Sequence, residues 1–141
     1  MEVMVNRHTS IALIGGWILG LGIWSSVSLA QSEEGKKLKN PVAAKPASVE
    51  AGKAIFQKSC AVCHGTAGQG DGTIVAMLKP EATRPSNLVD AKWDHGSTDG
   101  EIFVNIRDGI GPKFEMKGQK GKITDPDMWN LVNYIRSLKA K

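Results

Sequence analysis

Apolar positions recur at helical spacing in three stretches of the chain, and a fourth stretch is apolar almost throughout. In the first of the three, Ala51, Gly52, Ile55, Phe56 and Ser59 share one helical face. Ser48 reads as the N-cap, and Glu50 sits in the first turn, where the helix dipole favours negative charge. This predicts a helix from about Val49 to Ser59. In the second, Thr98-Asp-Gly-Glu101 fits a capping box, Ile102, Phe103 and Ile106 share a face, and Gly109 suits the exit. The prediction is a helix near Asp99–Arg107. In the third, Asp125-Pro126 reads as an N-cap followed by proline at the first helical position. Met128, Leu131, Val132, Ile135 and Leu138 then form an apolar stripe with Trp129 beside it, and Arg136, Lys139 and Lys141 complement the C-terminal dipole.

Between these helices the pattern breaks. Gly65 to Gly72 holds four glycines in eight residues and reads as turns. Thr73 to Leu78 makes a short helix that Pro80 stops, Glu81–Gly96 is mostly loop, and Ile110–Thr124 is a second long loop rich in Gly and Lys. Alternating strand patterns are absent. The fold class is all-α, with three to five helices and long loops, and loops of this length in a small domain wrap something or serve function.

The fourth stretch, Thr9 to Ser32, carries no charged residue. Arg7 and His8 precede its apolar core, Ile11–Trp24, and Ser28-Leu-Ala30 follows with the small residues of a signal-peptidase site. The reading is a secretory signal, residues 1–30, cut after Ala30. The rival is an uncleaved anchor, since the stretch is long enough to span a bilayer. No Cys lies near the cut, which excludes a lipoprotein. Residues 31–47 mix Glu33, Glu34, four Lys, Pro41 and Pro46 without an apolar period, and read as a flexible linker. The folded domain is then expected over 48–141.

Composition sharpens this picture at two points. The chain has 141 residues, 18 Lys+Arg against 14 Asp+Glu and a formal charge of +4. That balance is mildly basic and scattered, unlike the dense stripe of a nucleic-acid binder. Removing residues 1–30 leaves 111 residues with only six aromatics, a thin core for a domain of this size. The two Cys cannot make a disulfide framework or a four-Cys zinc site.

Those two Cys carry the sharpest chemical signal. Cys60-Ala-Val-Cys63-His64 is the C-x-x-C-H pattern of c-type haem attachment. Two thiols at this spacing can each add to a haem vinyl group, and the adjacent His64 can donate an imidazole nitrogen to the iron. A thioredoxin-like motif would need a βαβ context that is not visible, and a local disulfide leaves His64 unexplained. A zinc site from Cys60, Cys63, His64 and His95 matches no standard spacing. A covalent haem c would also supply the missing apolar centre and give the long loops something to wrap.

For the second axial position the candidates are Met77, Met116, Met128 and His95. Met77 is close to His64 in sequence, and Met128 lies in a predicted helix face, where a core role suits it. Met116, in the loop before the last helix, is the favoured ligand and His95 its main rival. A metal-bound His donates its other nitrogen to an outer partner, for which the Pro85 carbonyl is the choice and Pro80 the alternative.

From about Ser48 to Leu138 the chain resembles the class I, single-haem bacterial cytochrome c domain. The matching segments are Gly52-Lys-Ala-Ile-Phe56, Cys60-Ala-Val-Cys-His-Gly65, Gly68-Gln-Gly-Asp-Gly72, Asp99-Gly-Glu-Ile-Phe103, Ile106-Arg-Asp-Gly-Ile-Gly111, Met116 and the run Asp125–Leu138. The resemblance implies that the first and last helices cross at Gly52, with Phe56 and Tyr134 packed nearby, and that Met116 is the axial ligand. Relatives often carry Pro after that Met; here Lys117 stands there.

The expected function is a periplasmic one-electron carrier between redox proteins, not an enzyme, with no nucleic-acid partner and a monomeric state. Lys53, Lys58, Lys113, Lys117, Lys120 and Lys122 flank the haem segments and would steer an acidic partner, unless they are simply a solvated face. The alternatives are a haem subunit of a larger membrane or periplasmic oxidoreductase, and a haem enzyme or sensor with an open iron site. Membrane attachment would follow only from an uncleaved N-terminal segment.

Overall fold

The computed structural model describes residues 31–111 and 115–138. The expected signal or anchor, and Lys113, Lys139 and Lys141, lie outside them. In order, the described elements are α1 (residues 31–37), α2 (Pro46–Ser59), α3 (Ala61–His64), a 3-10 turn (Thr73–Met77), α4 (Asp99–Asp108), β1 (Gly109–Ile110), β2 (Met116–Lys117) and α5 (Asp125–Ser137). The molecule is mostly helical, as expected. Within the stretch read as all loop, Gly109 pairs with Lys117 and Ile110 with Met116 in a short antiparallel hairpin.

The helix α4 begins as its sequence dictates. Thr98 Oγ1 accepts the Glu101 amide, and the Glu101 carboxylate accepts the Thr98 amide, completing the capping box. The other two starts differ from expectation. Thr124, not Asp125, caps α5 and accepts the Asp127 amide, so Pro126 falls one position further in. The helix α2 starts earlier, at Pro46, because proline opens a first turn without a side-chain cap. Ser48 is therefore inside the helix and buried. Its hydroxyl donates to Asn130 Oδ1 at 2.6 Å and accepts from Asn133 Nδ2 at 2.8 Å.

Those bonds cross the main helix contact, α2 against α5. Gly52 lies at its centre: a Cβ there would fall on the Asn130 carbonyl, so only a hydrogen lets the two backbones meet. Phe56 packs on Tyr134 with ring centroids 5.2 Å apart, and Phe103 stacks on Trp129 at 4.1 Å. The core comprises Phe56, the α4 residues Ile102, Phe103, Val104 and Ile106, which bury that helix on most of its circumference, and the α5 stripe (Met128, Leu131, Val132, Ile135) with Trp129 and Tyr134.

Residues 31–47 are not the flexible linker expected. Residues 31–37 are helical, and the segment packs along α4 and α5. Glu34 pairs with Arg107 through two hydrogen bonds of 2.7 and 2.9 Å. Gly35 and Gly100 let the two backbones touch, and Leu38 and Val42 rest on the core. Asn40 Nδ2 donates to Asn133 Oδ1 at 2.8 Å, and Asn133 Nδ2 donates to the Val42 carbonyl at 3.1 Å. The segment lacks an apolar period because glycine contacts, amides and one charge pair hold it, not a stripe. No helix among the described residues is long and apolar enough to cross a membrane.

Candidate haem-attachment site

The helix α2 ends at Cys60, whose carbonyl then accepts the amides of Cys63 and His64 at 3.0 and 2.9 Å. Cys60 thus caps the single turn α3, and Cys63 and His64 follow within that turn. Both cysteines are free thiols and half-buried. Burial pushes the Cys60 thiol up to about 11, with the neighbouring Cys63 adding to the effect. A thioredoxin-like motif sits in a βαβ unit, and the described elements on either side of Cys60–Cys63 are helices and a 3-10 turn. Among the described residues, no group of three or more His, Cys, Asp and Glu side chains is placed to hold a metal ion.

The glycine-rich loop folds back beneath this turn. Gly70 N donates to the His64 carbonyl at 2.8 Å and Gly72 N to the Cys63 carbonyl at 3.1 Å. A Cβ at Gly72 would fall on the Val62 carbonyl, and at Gly70 it would stand 2.6 Å from the Pro85 carbonyl. Gly70 also has φ +78°, a left-handed conformation that favours glycine.

That last approach orients His64. With the Pro85 carbonyl turned onto Gly70, the next carbonyl, of Ser86, lies 3.0 Å from His64 Nδ1. The carbonyl facing Nδ1 is that of Ser86, not of Pro85 or Pro80: successive carbonyls of this irregular segment face different groups, and Pro85's lies against Gly70. A carbonyl can only accept, so Nδ1 carries the proton and Nε2 keeps its lone pair for a metal. Ser86 is itself tied down, its hydroxyl donating to Asp94 Oδ2 at 3.2 Å.

Met116 is half-buried in β2 and rests on the same core cluster as Cys60, Ala61 and Leu88. Its rivals have other surroundings. His95 is exposed, and its backbone carbonyl accepts the Asn105 side-chain amide at 2.8 Å. Met77 is 76% exposed and Met128 is a core residue at 1%. Lys53, Lys58, Lys117, Lys120 and Lys122 are exposed.

The family model for cytochrome c matches residues 49–139. The chain belongs to the cytochrome c family. Family membership makes it an electron-transfer haem protein and implies covalently bound haem c. The cytochrome c-554(547) of Halothiobacillus neapolitanus is 32% identical over 93 residues, covering 63% of this chain and 94% of that protein. The cbb3-type cytochrome c oxidase subunit CcoP of Azospirillum sp. (strain B510) is 28% identical over 101 residues, covering 64% of this chain. The chain spans only 30% of that subunit's length. Among solved structures, a chain of the Kuenenia stuttgartiensis reducing HAO-like protein complex matches with a TM-score of 0.61 at 23% identity, covering 71% of this chain and 47% of its own length. At that identity it supports the fold alone.

The residues of this cytochrome c domain fit haem c on their own chemistry. Two unpaired thiols stand three positions apart beside an imidazole whose Nδ1 is already committed to a carbonyl. Sequence reasoning expected a backbone carbonyl from the Pro80–Asn87 loop but chose Pro85, one residue before Ser86, because a carbonyl's direction has no residue signature.

Proposed function

We propose that this protein is an exported, single-haem electron carrier that exchanges one electron at a time with redox-protein partners in the periplasm. The observation that carries the reading is the His64 imidazole, fixed through Ser86 with Nε2 free, in one helical turn with two free thiols. When bound, the haem supplies a one-electron couple. Cys60 and Cys63 would tether it, and His64 and Met116 would supply a nitrogen and a sulfur ligand to the iron, a pair that raises the potential.

The surroundings support transfer rather than turnover. Met116 sits in a strand paired with β1, opposite Ile110, a backbone pairing that would limit its movement. Val62, between the two cysteines, is 52% exposed, and Met77 on the adjoining 3-10 turn is more so. This small apolar surface has the exposed lysines Lys53 and Lys58 on the neighbouring α2, a combination that suits brief docking of an acidic partner. A monomeric carrier cleaved after Ala30 fits this role.

A spectroelectrochemical titration tests it. One wave with n = 1 and a reduced protein inert to carbon monoxide are expected; rapid carbon monoxide binding would favour an open-site enzyme or sensor instead. The likeness to an oxidase subunit favours one other reading, a haem module within a larger complex. Co-purification at fixed stoichiometry with other subunits would establish that reading over a free carrier.

A further inference from the structure

We propose that residues 31–40 form a brace for the Met116 hairpin, with Glu34 as a positioning residue that acts through Arg107. The proposal rests on the reading of Met116 as an iron ligand. The path is short and continuous. Glu34 holds the Arg107 guanidinium in a two-pronged ion pair, and Arg107 also binds Asp108 at 2.6 and 3.0 Å. The guanidinium lies over the Phe103 ring, 5.7 Å from its centroid. Arg107 is thus held from three sides at the last turn of α4.

That turn is what the ligand hairpin hangs on. The Arg107 carbonyl accepts the Lys120 amide at 2.9 Å, and the Ile106 carbonyl accepts the Gln119 amide at 2.9 Å. Gly118 packs with no side chain to spare: a Cβ there would stand 2.7 Å from the Arg107 carbonyl. A Cβ at Gly109, which begins β1 with φ +89°, would stand 2.5 Å from the Met116 carbonyl. The free carbonyls at the C-terminus of α4 therefore bind the loop on the C-terminal side of Met116, and β1 binds Met116 itself. Two-pronged Arg–carboxylate pairs fix geometry as well as charge. A segment docked at the start of α4 through Gly35 and Gly100 and at its end through Glu34 splints the whole helix.

Two substitutions test this without touching the hairpin. Glu34→Gln removes the ion pair, and Gly100→Ala places a methyl on the Gly35 and Leu38 carbonyls and lifts the segment off. Glu33→Gln is the control, since among the described residues Glu33 pairs with exposed Lys36 and not with α4. In the ferric holoprotein, added imidazole competes with Met116, and loss of the far-red Met–iron band reports the exchange. The expected result is imidazole affinity raised about threefold in Glu34→Gln and more in Gly100→Ala, and unchanged in Glu33→Gln. Amide hydrogen exchange at Gln119 and Lys120 should quicken in the same two variants while that of α2 does not. Wild-type imidazole affinity and wild-type exchange in both variants would overturn the brace. Absence of the far-red band from the wild type itself would instead overturn Met116 ligation, and the brace with it.

Discussion

His64 Nδ1 lies 3.0 Å from the carbonyl oxygen of Ser86, in a segment positioned because Gly70 has no side chain. Gly70→Ala should therefore disturb the imidazole from a distance. The new methyl would meet the Pro85 carbonyl at 2.6 Å, at a φ of +78° that already disfavours alanine. A hydrogen bond from Nδ1 makes the imidazole a stronger donor and favours the oxidised metal. Its weakening in Gly70→Ala should raise the reduction potential and cost about 1–3 kcal/mol of stability. Voltammetry and thermal melts check both; an unchanged potential would show that the Ser86 bond does not tune the site.

The crossing of α2 and α5 depends on Gly52. Any side chain there falls on the Asn130 backbone, which cannot move without displacing Ser48 and Asn133. Gly52→Ala should destabilise the protein by about 1–3 kcal/mol, the range for overpacking, and Gly52→Val by more. Denaturant unfolding followed by far-ultraviolet circular dichroism measures this.

Asn133 is 5% exposed, accepts from Asn40 and donates to the Val42 carbonyl and to Ser48. Asn133→Ala strands those partners at once, at an expected cost of about 2–3 kcal/mol. The same variant should loosen residues 40–42, so limited proteolysis should begin to cut there, as it should not in the wild type.

Glu34 and Asp108 both have carboxyl groups held below the usual carboxylate range, each chiefly by its hydrogen bond to Arg107. A carboxylate with a depressed folded-state pKa contributes stability that is present above the unfolded value and lost as pH falls through the folded one. The pairs should thus be intact at neutral pH and fail only as pH falls below the usual carboxylate range. Stability against pH should fall less steeply in this acid range for Glu34→Gln than for the wild type. Parallel curves would mean that the ion pair contributes equally in the folded and unfolded chains. Glu34 is substantially exposed, so high salt should weaken the effect.

The helices were legible in the sequence wherever an apolar face or a side-chain cap writes itself into the residues. The α5 stripe, the Thr98–Glu101 box and the Cys60–His64 motif are of this kind. Boundaries slipped where backbone geometry decided: Pro46 opened α2 ahead of Ser48, and Thr124 outcompeted Asp125 as a cap. The docked segment at 31–47 was invisible because its contacts run through Gly35, Asn40 and Glu34, residue types equally at home in a linker. Choosing Ser86 over Pro85 required knowing which way each carbonyl turns.

The central claim is that Cys60 and Cys63 carry one haem on an exported chain. Intact-mass measurement of the protein purified from the periplasm tests it most directly. The expected mass is that of a polypeptide beginning at Gln31 plus one haem, with loss of that added mass in a Cys60→Ser, Cys63→Ser double variant. A wild-type protein with the mass of the bare polypeptide would contradict it.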